Sequence, residues 1–171
     1  MKRTRSLLGS TIVLILAPGS VAGLVPYLID HWQFEPPFFG VEVLRWIGVA
    51  LVILGLPVLI DSFLRFAIQG IGTPAPIAPT EHLVVTGLYR YVRNPMYVAV
   101  ASLIFGQGLL FGNSAVIAYG VLVCIAFHLF VCYYEEPTLR RTFGQEYESY
   151  RAKVPRWLPH PQSAEGAKAQ S

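Results

Sequence analysis

Eleven residues, Gly87 to Tyr97, read G-L-Y-R-Y-V-R-N-P-M-Y and gather arginine, tyrosine and the start of an apolar helix. Asn94-Pro95 is a helix-start signal: asparagine can accept from the free N–H groups of a first turn, and proline suits the first helical position. That end carries unpaired donors and a partial positive charge, and Arg90 and Arg93 lie just upstream, so an anionic group would find a seat there. The competing reading of the two arginines is anchorage at lipid headgroups. Further along, an apolar stretch finishes on Glu135-Glu136-Pro137. Two adjacent carboxylates at the end of a membrane helix are costly where they face lipid. The short turn Gly112-Asn113-Ser114 makes the intervening helices antiparallel neighbours, which brings Arg93 and Glu135 to the same side. Charges of both signs meeting there suit a zwitterionic ligand.

The elements that must hold these residues are apolar. Of 171 residues, 54% are hydrophobic and 13% charged, and the mean hydropathy is +0.51. That is too apolar for an ordinary soluble domain of this size. The expectation is an all-α, polytopic membrane bundle of about four transmembrane helices with a cytosolic C-terminal helical segment. Residues 1–160 form one domain in this reading and 161–171 a flexible tail. The net charge of +3 comes with no basic run and no nucleic-acid module, which argues against nucleic-acid binding. Cys124 and Cys132 lie about 80° apart around one helix, with no neighbouring thiol or histidine at ligand spacing. They are expected to be buried, inert thiols, and no metal site is expected.

In chain order, a basic leader (Lys2, Arg3, Arg5) precedes an apolar run from Leu7 to Ile29, long enough to span a core of ~30 Å. Pro18-Gly19 should kink it. Ser20-Val21-Ala22 also resembles a signal-peptide cleavage site, but apolar sequence continues past it, so a retained helix is the expectation. An interfacial loop rich in aromatics leads to a second span, Val43 to Ile68, where Asp61 and Arg65 are placed to pair on one helix face. Gln69 to Thr86 is too rich in Pro and Gly for regular structure. The third span runs from Met96 to Gly112, and its Ala99, Ser102 and Gly106 form a small-residue stripe for close packing. Gly106-Gln107-Gly108 is read as part of that packing rather than as a nucleotide motif, since no strand precedes it. The fourth span, Ser114 to Tyr134, carries His128, expected mainly as a core hydrogen-bonding group and alternatively as the lining of a passage. From Pro137 a surface helix should follow, broken at Phe143-Gly144 and stopped by Val154-Pro155. Basic residues flank the N-terminus, the second loop and the tail, while Arg45 alone falls on the other side. By the positive-inside rule both termini and the Arg93/Glu135 site are cytoplasmic.

Leu83 to Pro159 resembles the isoprenylcysteine carboxyl methyltransferase and phospholipid methyltransferase superfamily of integral membrane enzymes. The resemblance rests on L-V-V-T-G-L-Y-R-Y-V-R-N-P-M-Y, a helical hairpin, then Y-E-E-P-T-L-R-R-T-F-G-Q-E-Y-E-S-Y-R-A-K-V-P-R-W-L-P, in the family's order. It implies S-adenosylmethionine as cofactor, a lipid or lipid-like methyl acceptor, and a pocket between the last two helices and the C-terminal segment. The family's R-H-P-x-Y element falls on Arg93, Asn94, Pro95 and Tyr97, and its double glutamate on Glu135 and Glu136. Its F-G-x-E-Y-x-x-Y element falls on Phe143, Gly144, Glu146, Tyr147 and Tyr150. Asn94 stands where many relatives have histidine, and Ala99 where many have glycine. Arg93 and Glu136 are the expected catalytic pair; Tyr89, Asn94, Pro95, Tyr97, Glu135, Glu136, Tyr147 and Tyr150 are the expected cofactor contacts. Arg93 and the helix start would take the cofactor's carboxylate, a glutamate its ammonium, and tyrosines its adenine or sulfonium. The other function classes weighed are a membrane reductase using NADPH and a non-catalytic helical bundle.

Overall fold

The computed structural model describes residues 16–69 and 83–159, with side chains in the first stretch as far as Arg65. The basic leader, the first half of the expected first span, most of the Pro/Gly-rich loop and the tail lie outside the described residues. Among the described residues the fold is all-α. Helix α1 is Leu16–Asp30, α2 Val43–Gln69, α3 Pro95–Phe111, α4 Ser114–Phe130, α5 Glu136–Phe143 and α6 Gln145–Lys153.

Two stretches among the described residues are long and apolar enough to cross a membrane: Val43–Arg65, and Ser114–Phe143 taken as one run, with mean hydropathies of 2.4 and 2.5. Only 17% and 22% of these windows are buried inside the protein, so they are not the core helices of a soluble fold. Ile53, Leu54 and Leu64 of α2 and Leu122, Ile125 and Leu129 of α4 point outward and exposed. A helix apolar on its inner and outer faces alike calls for lipid. Helices α1 and α3 are apolar but shorter.

The core lies where α3 is sandwiched. Ile104 and Val116 are fully buried, with Ala99, Val100, Leu103, Leu59, Phe63 and Val123 around them. Close approach of α2 to α3 depends on small residues. A Cβ on Gly48 would stand 2.6 Å from the Gly106 carbonyl oxygen, and one on Gly106 would stand 2.8 Å from Val52 Cγ2. Gly55 faces the Ala99 carbonyl and Ser102 Cβ at 3.3 Å, so the stripe Ala99, Ser102, Gly106 is the α2 contact, as its spacing implied. At the far end of α3, Gly112 turns the chain with φ +79°, and Asn113 Oδ1 accepts from the N–H groups of Ala115 and Val116 at 3.0 and 3.1 Å. That cap starts α4 antiparallel to α3.

The fourth helix does not stop at Tyr134. Val131–Glu135 form a π turn in which the Glu136 N–H reaches back to the Val131 carbonyl, and the backbone stays helical into α5. Proline lacks the N–H and its ring clashes with the carbonyl four residues earlier, so a widened turn lets the helix pass Pro137. The surface helix expected after Pro137 is therefore a continuation of the span. The break comes at Gly144, φ +50°, and α6 ends at Lys153, both as the sequence implied.

Candidate active site

Arg93 stands two residues before α3, and its backbone N–H donates to the Pro155 carbonyl at 2.9 Å, which draws the segment after α6 back over the helix start. Its guanidinium Nη1 donates to Glu136 Oε1 and to Tyr147 Oη, both at 3.0 Å. Arg156 closes the other side of the same carboxylate, Nε to Oε1 at 2.7 Å and Nη2 to Oε2 at 3.0 Å. The Arg93 and Glu136 side chains are 10% and 8% exposed, so this is a buried knot of two cations on one anion. The hydrogen bond to Glu136 pushes the Arg156 guanidinium up from its ordinary value. Both carboxylate oxygens of Glu136 are occupied.

Glu135, one residue earlier on the π turn, faces elsewhere. Its Oε2 accepts from Tyr97 Oη at 3.0 Å. Tyr150 donates to the Tyr89 carbonyl at 2.6 Å, tying α6 to the turn Gly87–Arg90. Burial holds the Tyr89, Tyr147 and Tyr150 phenols above the usual tyrosine value; Glu135 adds to this at Tyr89, and Arg93 opposes it at Tyr147 and Tyr150. All three remain neutral donors at physiological pH.

Of the nine residues singled out from the sequence, seven line one polar pocket: Tyr89, Arg93, Asn94, Glu135, Glu136, Tyr147 and Tyr150. Its cavity volume is about 40 Å³. Tyr97 lines the neighbouring apolar cavity of about 430 Å³, together with Phe105, Phe127, His128 and Trp157. Pro95 is fully buried at the first turn of α3 and lines neither.

Three local expectations need correction. Asn94 makes no side-chain cap; its backbone sits at φ −125°, ψ 55°, and Nδ2 donates instead to the Arg156 carbonyl at 3.2 Å. His128 is not a core group but an exposed one on the wall of the apolar cavity, 6.1 Å from the Trp157 ring and 3.7 Å from Cys132 Sγ. Cys124 and Cys132 are half-buried rather than buried. Sequence reasoning also passed over Arg156 and Trp157. Both lie in the V-P-R-W-L-P stretch that ends the resemblance, and that stretch was the available signal.

The Phospholipid methyltransferase family model matches residues 43–146, more than half of the chain, and the chain belongs to that family. The match begins at α2, so the family region extends further toward the N-terminus than the motifs alone indicated. Protein-S-isoprenylcysteine O-methyltransferase of Schizosaccharomyces pombe is 40% identical over 80 residues, covering 46% of this chain and 34% of that protein. The chain thus spans about a third of the length of the curated relative it matches. Family membership and the two long apolar helices together make this a membrane protein. Neither comparison gives support to a nicotinamide-dependent reductase or a non-catalytic bundle.

Proposed function

We propose that this chain is an S-adenosylmethionine-dependent membrane methyltransferase acting on an apolar or amphipathic acceptor of the isoprenylcysteine or phospholipid kind. The observation that carries the reading is a juxtaposition within the family region: a pocket of paired charges adjoins an apolar cavity, and Tyr97 and Glu135 meet between them. The residues suit the cofactor. Arg93 Nε is buried without a hydrogen-bond partner among the described residues, a cationic donor left over for an anion. Glu135 offers an anionic oxygen for an ammonium, and neutral Tyr89, Tyr147 and Tyr150 give flat faces for adenine or sulfonium. At about 40 Å³ the pocket is far smaller than the roughly 300–1,000 Å³ of sites for ligands of drug size, so cofactor binding requires its walls to part.

Bound S-adenosylmethionine supplies a methyl group on a sulfonium: the acceptor's lone pair forms a bond to that carbon as the carbon–sulfur bond breaks, its electron pair staying on sulfur. The chain's own work is alignment and exclusion of water. Glu136 is assigned to hold the arginines rather than to touch the reactants, since both its oxygens are engaged. Arg93 is assigned to the cofactor's carboxylate and Glu135 to its ammonium. The apolar cavity is assigned to the acceptor's hydrocarbon chain, with Trp157 at its edge. A carboxylate or thiolate acceptor needs no base; an amine acceptor must also give up a proton.

The topology that goes with this reading has four spans, α1 and α3 joining the two long ones, within a single domain. Both termini and the Arg93/Glu135 end are cytoplasmic, on the distribution of basic residues. The test is purified protein in detergent, titrated with S-adenosylmethionine and separately with NADPH, then supplied with radiolabelled cofactor and membrane lipid extract. Saturable cofactor binding and label in the lipid fraction are expected; NADPH binding alone would overturn the reading.

A further inference from the structure

The polar pocket and the apolar cavity share no lining residue among those described. Among the described residues, one hydrogen bond between side chains joins their walls: Tyr97, from the cavity, donates to Glu135, from the pocket, at 3.0 Å. The Tyr97 ring is held in place by Phe127 at 4.7 Å and Trp157 at 6.5 Å between ring centroids. Trp157 itself belongs to the segment that Arg93, Asn94 and Glu136 tie down through Pro155 and Arg156. Glu135, the last residue of the π turn, is engaged through one oxygen, Oε2, which accepts from Tyr97.

Methyl transfer requires the nucleophile and the methyl carbon to come within about 3–3.5 Å. If the acceptor's chain lies in the cavity and the cofactor in the pocket, the Tyr97–Glu135 contact stands across the line of transfer. We infer that Tyr97 is a catalytic residue that exchanges partners: its hydroxyl holds Glu135 before the cofactor binds, releases it to the cofactor's ammonium, and then hydrogen-bonds the acceptor's reacting group. The inference rests on the function proposed above. It makes Tyr97 a contact of the acceptor side, in contrast to its assignment from the sequence as a cofactor contact.

Because the hydroxyl competes with the cofactor for Glu135 and later serves the acceptor, removing it should separate binding from turnover. The experiment compares the full chain with Tyr97→Phe and Glu135→Gln. Cofactor affinity is read by calorimetry. Methylation is read with tritiated S-adenosylmethionine against S-farnesyl-N-acetylcysteine and against phosphatidylethanolamine vesicles. In Tyr97→Phe the cofactor Kd is expected to stay within threefold of the parent or tighten, while turnover at saturating acceptor falls at least tenfold. Glu135→Gln, which keeps an oxygen for Tyr97 but loses the charge, is expected to weaken the cofactor tenfold or more. Parent-like turnover in Tyr97→Phe would overturn the inference, and so would a parallel loss of cofactor affinity and thermal stability, which would make Tyr97 a structural prop. Failure of the unsubstituted protein to bind the cofactor is a separate result, and it would count against the proposed function itself.

Discussion

Arginine anchors both ends of α3, with opposite consequences. At the Phe111 end, Arg45 donates to the Leu110 carbonyl at 3.2 Å and to the Glu35 carbonyl, lies 5.4 Å from the Phe34 ring centroid, and stands 3.4 Å from Glu42. Asn113 Nδ2 donates to Glu35 Oε1 at 2.8 Å and the Glu35 N–H to the Phe111 carbonyl at 2.8 Å. A cation there meets the negative end of a helix, and its partners are chiefly backbone oxygens. At the Pro95 end, two guanidiniums converge on one buried carboxylate beside a pocket, and a second carboxylate next to it is engaged through a single oxygen. Both clusters are polar and partly buried, and the second borders a pocket lined by Arg93, Glu135 and Glu136. Charge clustering marks a fold's joints; charge beside a cavity marks its chemistry.

The largest expected effect belongs to Glu136. Taking one partner from a buried ion cluster leaves uncompensated charge, at a cost of roughly 3–5 kcal/mol. Glu136→Ala should therefore lose folded protein, read as a lower thermal midpoint in detergent and a broadened elution profile. A stable Glu136→Ala protein that merely fails to turn over would return Glu136 to the reactants. Arg156→Ala comes next. It leaves Arg93 on Glu136 but removes a bidentate, charge-assisted pair of hydrogen bonds, worth about 1.5–3 kcal/mol. Loss of that pair should loosen the segment carrying Trp157 and cut methylation at least tenfold.

Arg45→Ala sharpens the contrast from the other end. It should cost about 1–2 kcal/mol of stability from the helix-end interaction alone and leave cofactor affinity unchanged. A smaller effect concerns pH. Burial raises the Tyr89, Tyr147 and Tyr150 values in the folded state. Their contribution to stability is thus complete below about pH 10, the unfolded tyrosine value, and is lost as pH rises through the higher folded values. Thermal midpoints measured between pH 8 and 11 should fall on the alkaline side, less steeply in Tyr150→Phe.

What the sequence made legible was local or carried by spacing. Pro95 opens α3, Asp61 and Arg65 pair at 2.8 Å, Gly106 lies against α2, and Gly144 and Pro155 end helices where such residues should. The hairpin turn was enough to bring Arg93 to the glutamates. What spacing could not decide was which of two adjacent glutamates faces which neighbour, because a π turn shifts the helical register by one residue just before them. Asn94 had the composition of a cap but not the backbone angles. The contacts of Arg156 with Glu136 and of its carbonyl with Asn94 join segments 20 and 62 residues apart, with no periodicity to announce them.

The central claim is that the arginine and glutamate end of the bundle holds S-adenosylmethionine through Glu135, and calorimetric titration of the purified protein tests it most directly. The account predicts saturable binding, weakened tenfold or more, about 1.4 kcal/mol, in Glu135→Gln and unchanged in Arg45→Ala. No saturable binding, or equal weakening by the two substitutions, would contradict it.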